Sequence, residues 1–155
     1  LTAGIFAKRM GLPIGSFIAA TNANDVIPDY LLHGAFHPRT SVSTISNAMD
    51  VGNPSNFWRM AALYDDSVAA MHNDISGVRV IEEETRKAML DCHQRFGYVI
   101  DPHGAVGYHA WRATMNQHPD EAGVILETAH PSKFSNVVER GYLEFEHSSR
   151  EKSNL

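Results

Sequence analysis

Four polar stretches, each placed directly after a short apolar run, constrain the fold of this chain more than any other feature. They cover residues 21–25, 46–50, 101–104 and 128–131. The strands of an open parallel sheet end at a common edge, and α/β proteins bind their ligands at that edge. The pattern therefore predicts that the four stretches meet around a small-molecule site.

Short apolar runs predict five strands, and apolar residues at helical spacing predict the helices between them. The strands are expected at 17–20, 41–45, 78–81, 98–100 and 124–126. Helices are expected from the first residues to Met10, through Leu32 with Asn24 and Asp25 as capping residues, around Phe57 to Tyr64, from Glu82 to Phe96, from Pro102 onward and from Pro131 onward. This alternation predicts an α/β domain with a mainly parallel open sheet flanked by helices.

Several helix ends carry specific signals. Gly34 and Gly97 suit left-handed C-caps, and Asp101 followed by Pro102 suits a helix start. The acidic run 82–84 complements the positive end of the helix that it opens.

Composition excludes several functional classes. The 155 residues, 43% of them apolar, suffice for one domain with a true core. The net charge is −5 and the basic residues are scattered, which disfavours nucleic-acid binding. No apolar run approaches the roughly 20 residues needed to cross a bilayer. A single cysteine, Cys92, cannot form an internal disulfide, which favours a reducing compartment and hence the cytoplasm.

The two ends differ in character. Residues 1–8 have the pattern of a helix that is already under way, which predicts a piece of a longer protein. Residues 143–155 are polar and are expected to be a disordered tail, leaving 1–142 as the folded part of a single domain.

Most of the polar residues also have a purely structural interpretation. Asn and Ser side chains in loops usually satisfy backbone groups, Asp101 is more often a helix cap than a catalytic acid, and His130 can simply shape a turn. The nine histidines are not spaced as metal ligands, so no metal is expected. Cys92 lies in mid-helix without an adjacent base and is not expected to act as a nucleophile.

Five segments, in order and at compatible spacing, resemble the threonine synthase family. They are residues 1–4, 19–25, 46–51, 101–103 and 128–134, and the resemblance runs from Leu1 to about Tyr142. It implies a pyridoxal-phosphate enzyme of fold type II, the tryptophan-synthase-β-like fold, with residues 1–142 as the C-terminal part of its pyridoxal-phosphate-binding large domain. It also implies a lyase of threonine biosynthesis that converts O-phospho-L-homoserine and water to L-threonine and phosphate.

The resemblance also assigns residues. Thr128 matches the hydroxyl at the pyridine nitrogen of the cofactor, and Thr2 matches the helix start that follows the phosphate-binding loop. Asp101 and His103 match a motif beside the ring. The lip of the substrate site is matched by Asn22, Asn24, Asp25, Ser46, Asn47 and Asp50.

The departures from the family pattern matter for activity. The glycine-rich phosphate loop and the lysine that forms the Schiff base are both missing, so no catalytic residue is assigned and the isolated chain is expected to be inactive. Its expected partners are the substrate, the remainder of the parent chain and other copies of itself, with no nucleic acid and no membrane. The alternative is a non-catalytic binding or interaction module of the same fold. A dinucleotide-binding domain is disfavoured because no G-x-G-x-x-G motif follows a strand.

Overall fold

A computed structural model describes residues 1–117 and 119–139, which form helices around a small parallel sheet. The helices are α1 (Thr2–Arg9), α2 (Val26–His33), α3 (Phe57–Leu63), α4 (Val68–His72), α5 (Glu82–Phe96) and α6 (Pro102–Thr114). The strands are β1 (Phe17–Thr21) and β2 (Ile75–Arg79), and short 3-10 turns cover Asn47–Met49, Met115–Gln117 and Pro131–Phe134. Helical residues continue from the last turn over 135–139.

The predicted parallel sheet is confirmed, but within the described ranges it has two strands rather than five. β1 and β2 pair in parallel, with Phe17 opposite Ile75 and Thr21 opposite Arg79. The prediction for β1 is confirmed to within one residue. β2 begins three residues before the predicted 78–81 because its register with β1 starts at Ile75, while Ile81 already occupies the N-cap of α5.

The strand predicted at 41–45 is wrong because side chains occupy the backbone groups that a ladder would use. The N–H of Val42 donates to Asn24 Oδ1 at 2.8 Å, and its carbonyl accepts from Asn24 Nδ2 at 2.9 Å. The N–H of Thr44 donates to Asp50 Oδ2 at 2.9 Å. The segment is therefore held in place by a polar loop network and not by a neighbouring strand.

The strands predicted at 98–100 and 124–126 are also wrong. Residues 98–100 fill the short gap between the C-cap of α5 at Gly97 and the N-cap of α6 at Asp101. Segment 124–128 is not part of the two-stranded sheet, and Val124 and Leu126 are 84% and 80% exposed. An apolar run becomes a strand only where another strand supplies hydrogen bonds.

The helix predictions are confirmed. Gly34 and Gly97 end α2 and α5 with φ of 74° and 65°, which is the left-handed C-cap conformation. Asp65 and Asp66 take positive φ and separate α3 from α4. At the start of α5, the Ile81 N–H donates to Glu84 Oε2 at 2.9 Å.

The core has two principal parts. One lies around α2, α3 and β2, with Tyr30, Phe57 and Met71 among its buried residues. The other lies between α5 and α6, with Met89 and Tyr108. Among the described residues, no helix is long and apolar enough to cross a membrane. The tail predicted at 143–155 lies outside the described residues, so it and the domain boundary at 142 stay predictions.

Candidate functional site

Three of the four residues predicted to contact the cofactor line one cavity. This cavity has a volume of about 550 Å³ and is bounded by the start of α1, by β1, by α6 and by the segment 121–128. Thr2, His103 and Thr128 all contribute to its wall. Residues about 100 positions apart in sequence are thus brought to one small-molecule-sized space.

The walls of the cavity are mainly apolar, with several polar residues that include the acidic residue Glu121. On α6, His103, Gly107 and Trp111 follow one another at four-residue spacing and share one face. Thr21, at the end of β1, is also a lining residue, but its Oγ1 atom is enclosed by the protein and has no hydrogen-bond partner among the described residues. A buried hydroxyl without a partner lowers the stability of the fold.

His103 connects the cavity to two other parts of the site. Its Nδ1 lies 2.7 Å from Asp101 Oδ1, and its Nε2 accepts a hydrogen bond from the N–H of Ala48 at 3.1 Å. Because Nε2 is the acceptor, Nδ1 carries the proton and donates to Asp101. The ring of Phe134 packs against the imidazole with 4.6 Å between centroids. The ring orientation and tautomer of His103 are therefore fixed from three directions.

Asp101 is both a helix cap and the support of His103. Its side chain accepts from the N–H of His103 at 2.8 Å, as a capping residue does. The residue is fully buried and is not part of the cavity wall. Asp101 therefore affects the cavity only indirectly, by fixing the orientation of His103.

Four of the six predicted lip residues form one internal network with Thr44. The Asn22 amide donates to Thr44 Oγ1 and Asp50 Oδ1 at 2.8 Å each and to Ser46 Oγ at 3.1 Å. Asn24 donates to Asn22 Oδ1 at 2.9 Å and to Asp50 Oδ1 at 3.2 Å. These side chains bind one another and fix the 46–50 loop, which carries the Ala48 N–H that His103 accepts.

Asp25 and Asn47 lie outside this network. The carboxylate of Asp25 forms ion pairs with Arg39 at 2.7 Å and Arg79 at 3.6 Å. It occupies the N-cap position of α2 without a capping hydrogen bond, so its predicted capping interaction is wrong. Asn47 opens a 3-10 turn and is exposed.

Thr128 follows an extended segment rather than a buried strand. The segment is attached to α6 through Glu127, which accepts from the Asp101 N–H at 3.4 Å and from the Tyr98 hydroxyl at 2.8 Å. Ile125 adds an apolar contact, since a Cβ placed on Gly107 would lie 3.0 Å from its side chain. Two adjacent residues thus have different tasks: Glu127 anchors the segment and Thr128 lines the cavity.

Comparison with known proteins places these features in a family. A family model described as "Threonine synthase, C-terminal" matches residues 104–151. The threonine synthase of Serratia marcescens is 42% identical over 139 residues, covering 90% of this chain and 32% of that protein. The crystal structure of threonine synthase from Escherichia coli superposes with a TM-score of 0.79 at 40% identity, over 90% of this chain and 32% of that one. These matches support the assignment of the chain as a C-terminal fragment of a threonine synthase.

A further similar structure is that of a threonine synthase with its cofactor bound. It is the X-ray crystal structure of PLP-bound threonine synthase from Brucella melitensis, which is 32% identical with a TM-score of 0.77 and is covered to 35% by this chain. The chain therefore spans about a third of the length of the threonine synthases that it matches. The resemblance inferred from the five segments is confirmed.

Sequence analysis assigned no role to three residues of this threonine synthase chain that line the cavity or hold its wall in place. Trp111 could have been found from its four-residue spacing to Gly107 and His103 on one helix. Thr21 was included in a polar stretch without a role of its own. The role of Glu127 was missed because the apolar run before it suggested a strand. A charged residue directly before Thr128 could have indicated a polar contact at this position.

Proposed function

We propose that this chain forms one wall of the pyridoxal-phosphate site of a threonine synthase, and that the whole protein converts O-phospho-L-homoserine and water to L-threonine and phosphate. The convergence of Thr2, His103 and Thr128 on one cavity is the observation that carries the proposal. A family likeness over 90% of the chain supports it.

The residues present fit a flat heteroaromatic phosphate ester. A volume of about 550 Å³ with Trp111 in the wall suits an aromatic ring. Thr2 is the first residue of α1, where backbone amides lack intrahelical acceptors and favour an anion. Thr128 supplies a neutral hydroxyl suited to a ring nitrogen.

Pyridoxal phosphate, when bound, supplies the electron sink for chemistry at an amino-acid substrate. In our proposal, Thr128 orients the ring without enforcing a positive charge on it, because a hydroxyl is a weaker proton acceptor than a carboxylate. His103, held by Asp101 and Ala48, gives the cavity a fixed polar edge.

The lysine that carries the cofactor is proposed to come from the rest of the protein. Lys8 is occupied by the Gly15 carbonyl and by Asp74 at 2.6 Å, and Lys87 pairs with Glu83 at 2.6 Å. Neither of them nor Lys133, the remaining lysine within the described ranges, lines the cavity. We therefore assign binding and positioning, and no covalent step, to the residues of this chain.

The proposal is tested by comparing this chain alone with the protein that unites it with the remaining two-thirds of a threonine synthase. The complete protein is expected to bind pyridoxal phosphate and to release phosphate from O-phospho-L-homoserine, while the chain alone releases none. Turnover by the chain alone would contradict the proposal that the catalytic lysine lies in the rest of the protein. A complete protein that binds the cofactor but releases no phosphate would favour the alternative, a non-catalytic module of the same fold.

We further propose a cytoplasmic location. Cys92 is free and buried, and burial is the main cause that raises the pKa of its thiol. A buried thiol of this kind needs no oxidising compartment.

A further inference from the structure

A buried carboxyl oxygen next to the proposed cofactor site lacks a donor. Asp101 is fully buried, and its Oδ1 accepts both the N–H and the Nδ1–H of His103. Its Oδ2 has no hydrogen-bond partner among the described residues. Because an unsatisfied buried carboxyl oxygen is costly, some group should donate to it.

The neighbouring carboxyl of Glu127 is placed to be that group. Its Oε1 accepts from the backbone N–H of Asp101 and its Oε2 from the hydroxyl of Tyr98. A Cβ placed on Gly104 would lie 3.0 Å from Glu127 Cδ, so the carboxyl rests on the first turn of α6. Two ionised carboxylates are acceptors only, so a hydrogen bond between them requires a shared proton.

The titratable groups that face Glu127 are Cys92 from α5, Tyr98 from the connection between the helices and Asp101 from the start of α6. Burial is the largest cause that raises the pKa of Glu127, and the Asp101 carboxyl raises it further. The hydrogen bonds from Tyr98 and from the Asp101 backbone N–H lower the pKa, and the net shift is upward.

We propose that Glu127 is a positioning residue of the cofactor site. Its carboxyl stays protonated and donates a hydrogen bond to Asp101 Oδ2. The proton converts two like-charged carboxyls into one hydrogen-bonded pair, and this pair ties segment 124–128 to the start of α6. Since Thr128 follows Glu127 directly, the pair holds Thr128 at the cavity, on the same side as His103. Loss of the proton places two negative charges side by side and pushes the segment away from α6.

The first experiment measures the proton itself. The complete protein is labelled with 13C at the glutamate Cδ, and the Glu127 resonance is assigned by its loss in Glu127→Gln. We expect it to titrate clearly above the ordinary glutamate value of about 4.3. Titration at the ordinary value would overturn the proposal. If Glu127→Gln fails to fold, Glu127→Asp provides the assignment, because the shorter acid shifts the resonance out of the glutamate set.

The second experiment tests positioning, and this step rests on the proposed function. The dissociation constant of pyridoxal phosphate is measured across the pH range in which the first experiment finds Glu127 to titrate, for the wild type and for Glu127→Gln, whose amide can donate to Asp101 at every pH. Relative to the variant, the wild type should lose roughly threefold or more in affinity as pH rises.

The outcomes separate the two ideas. Equal pH profiles for wild type and Glu127→Gln would overturn the positioning role, even if the stability of the two proteins differed. Failure of both to bind pyridoxal phosphate at any pH would instead contradict the proposed function, while the carboxyl titration would still decide whether Glu127 keeps its proton.

Discussion

The imidazole of His103 accepts a hydrogen bond from the backbone N–H of Ala48 at 3.1 Å, across 55 positions of sequence. This bond joins α6 to the 46–50 loop, and the same ring donates to Asp101 on its other side. A single side chain thus couples a helix start, a polar loop and the cavity wall.

Replacing His103 should loosen the 46–50 loop. In His103→Phe the ring and its contact with Phe134 are preserved but the acceptor for Ala48 is lost. A partly buried hydrogen bond of this kind contributes about 1 kcal/mol, so the Ala48 amide should exchange roughly fivefold faster with solvent. Hydrogen exchange monitored by NMR measures it.

The control for this change is His109→Phe, on the same helix. The His109 imidazole lies 3.9 Å from the carboxylate of Glu84, on α5, and not next to the 46–50 loop. Equal acceleration of Ala48 exchange in both variants would show that the effect comes from α6 as a whole and not from the His103 acceptor.

Asn22 should be the most sensitive residue of the polar loop network. It is 2% exposed, and its amide bridges Thr44, Ser46 and Asp50. Asn22→Ala leaves several buried groups without a partner, which should lower the free energy of unfolding by about 2 kcal/mol or more. Urea titration gives this value. Asn47→Ala, in the exposed turn of the same loop, should change it by less than about 0.5 kcal/mol, and similar losses in the two variants would contradict the assignment of the network.

The ion pair of Asp74 should make stability depend on acid pH. The hydrogen bond from Lys8 is the largest cause that lowers the pKa of Asp74, followed by that from Tyr64. A lowered folded-state pKa means that the carboxylate stabilises the fold above the unfolded value of about 4, and that this contribution is lost as pH falls through the lowered value. Because both side chains of the pair are partly exposed, we expect at most about 1 kcal/mol.

The measurement is the free energy of unfolding from pH 7 to pH 2 for wild type and Asp74→Asn. The variant should lack this part of the acid dependence. Asp65→Asn, in the exposed turn between α3 and α4, should keep it. A wild-type profile in Asp74→Asn would show that the pair contributes no pH-dependent stability.

The helices could be predicted from the sequence because their signals are local. Gly34 and Gly97 end helices in the left-handed conformation that glycine adopts without strain, and Asp101 with Pro102 starts one. Such residues act through their own backbone and their nearest neighbours, so no knowledge of distant contacts is needed.

The strands were predicted less well because a strand needs a partner. Residues 41–45 have the β-branched composition of a strand, yet Asn24 and Asp50 bind their backbone groups. Val124 and Leu126 are apolar but exposed in the structure described. Composition indicates that a segment can extend, whereas pairing depends on residues far away in sequence.

The candidate site was predictable in its location but not in its contacts. Stretches 21–25, 46–50 and 101–104 do contact one another, although only the first of them follows a strand of the two-stranded sheet. However, Asn22, Asn24, Ser46 and Asp50 face one another, so the structure supports a role in fixing the loop. The pattern of residue types could not distinguish a side chain that binds a ligand from one that binds its neighbour.

The hydroxyl of Thr128 should contribute to cofactor binding, whereas that of Thr21 should not. Thr128 lines the cavity from segment 124–128, while the Oγ1 of Thr21, at the end of β1, is enclosed by the protein and unpartnered among the described residues. Thr128→Val and Thr21→Val remove one hydroxyl each at nearly constant shape. In the complete protein Thr128→Val should weaken the binding of pyridoxal phosphate by roughly fivefold to tenfold, the equivalent of one hydrogen bond of about 1 kcal/mol, and Thr21→Val should leave it unchanged. Thr114→Val is the control, because that hydroxyl already donates within α6 to the Ala110 carbonyl at 3.0 Å. Binding measured by fluorescence titration should be unchanged in the control. Full affinity in Thr128→Val would contradict the contact with the ring nitrogen, whereas Thr21→Val is also expected to raise the stability of the free protein, since it removes a buried group that has no partner.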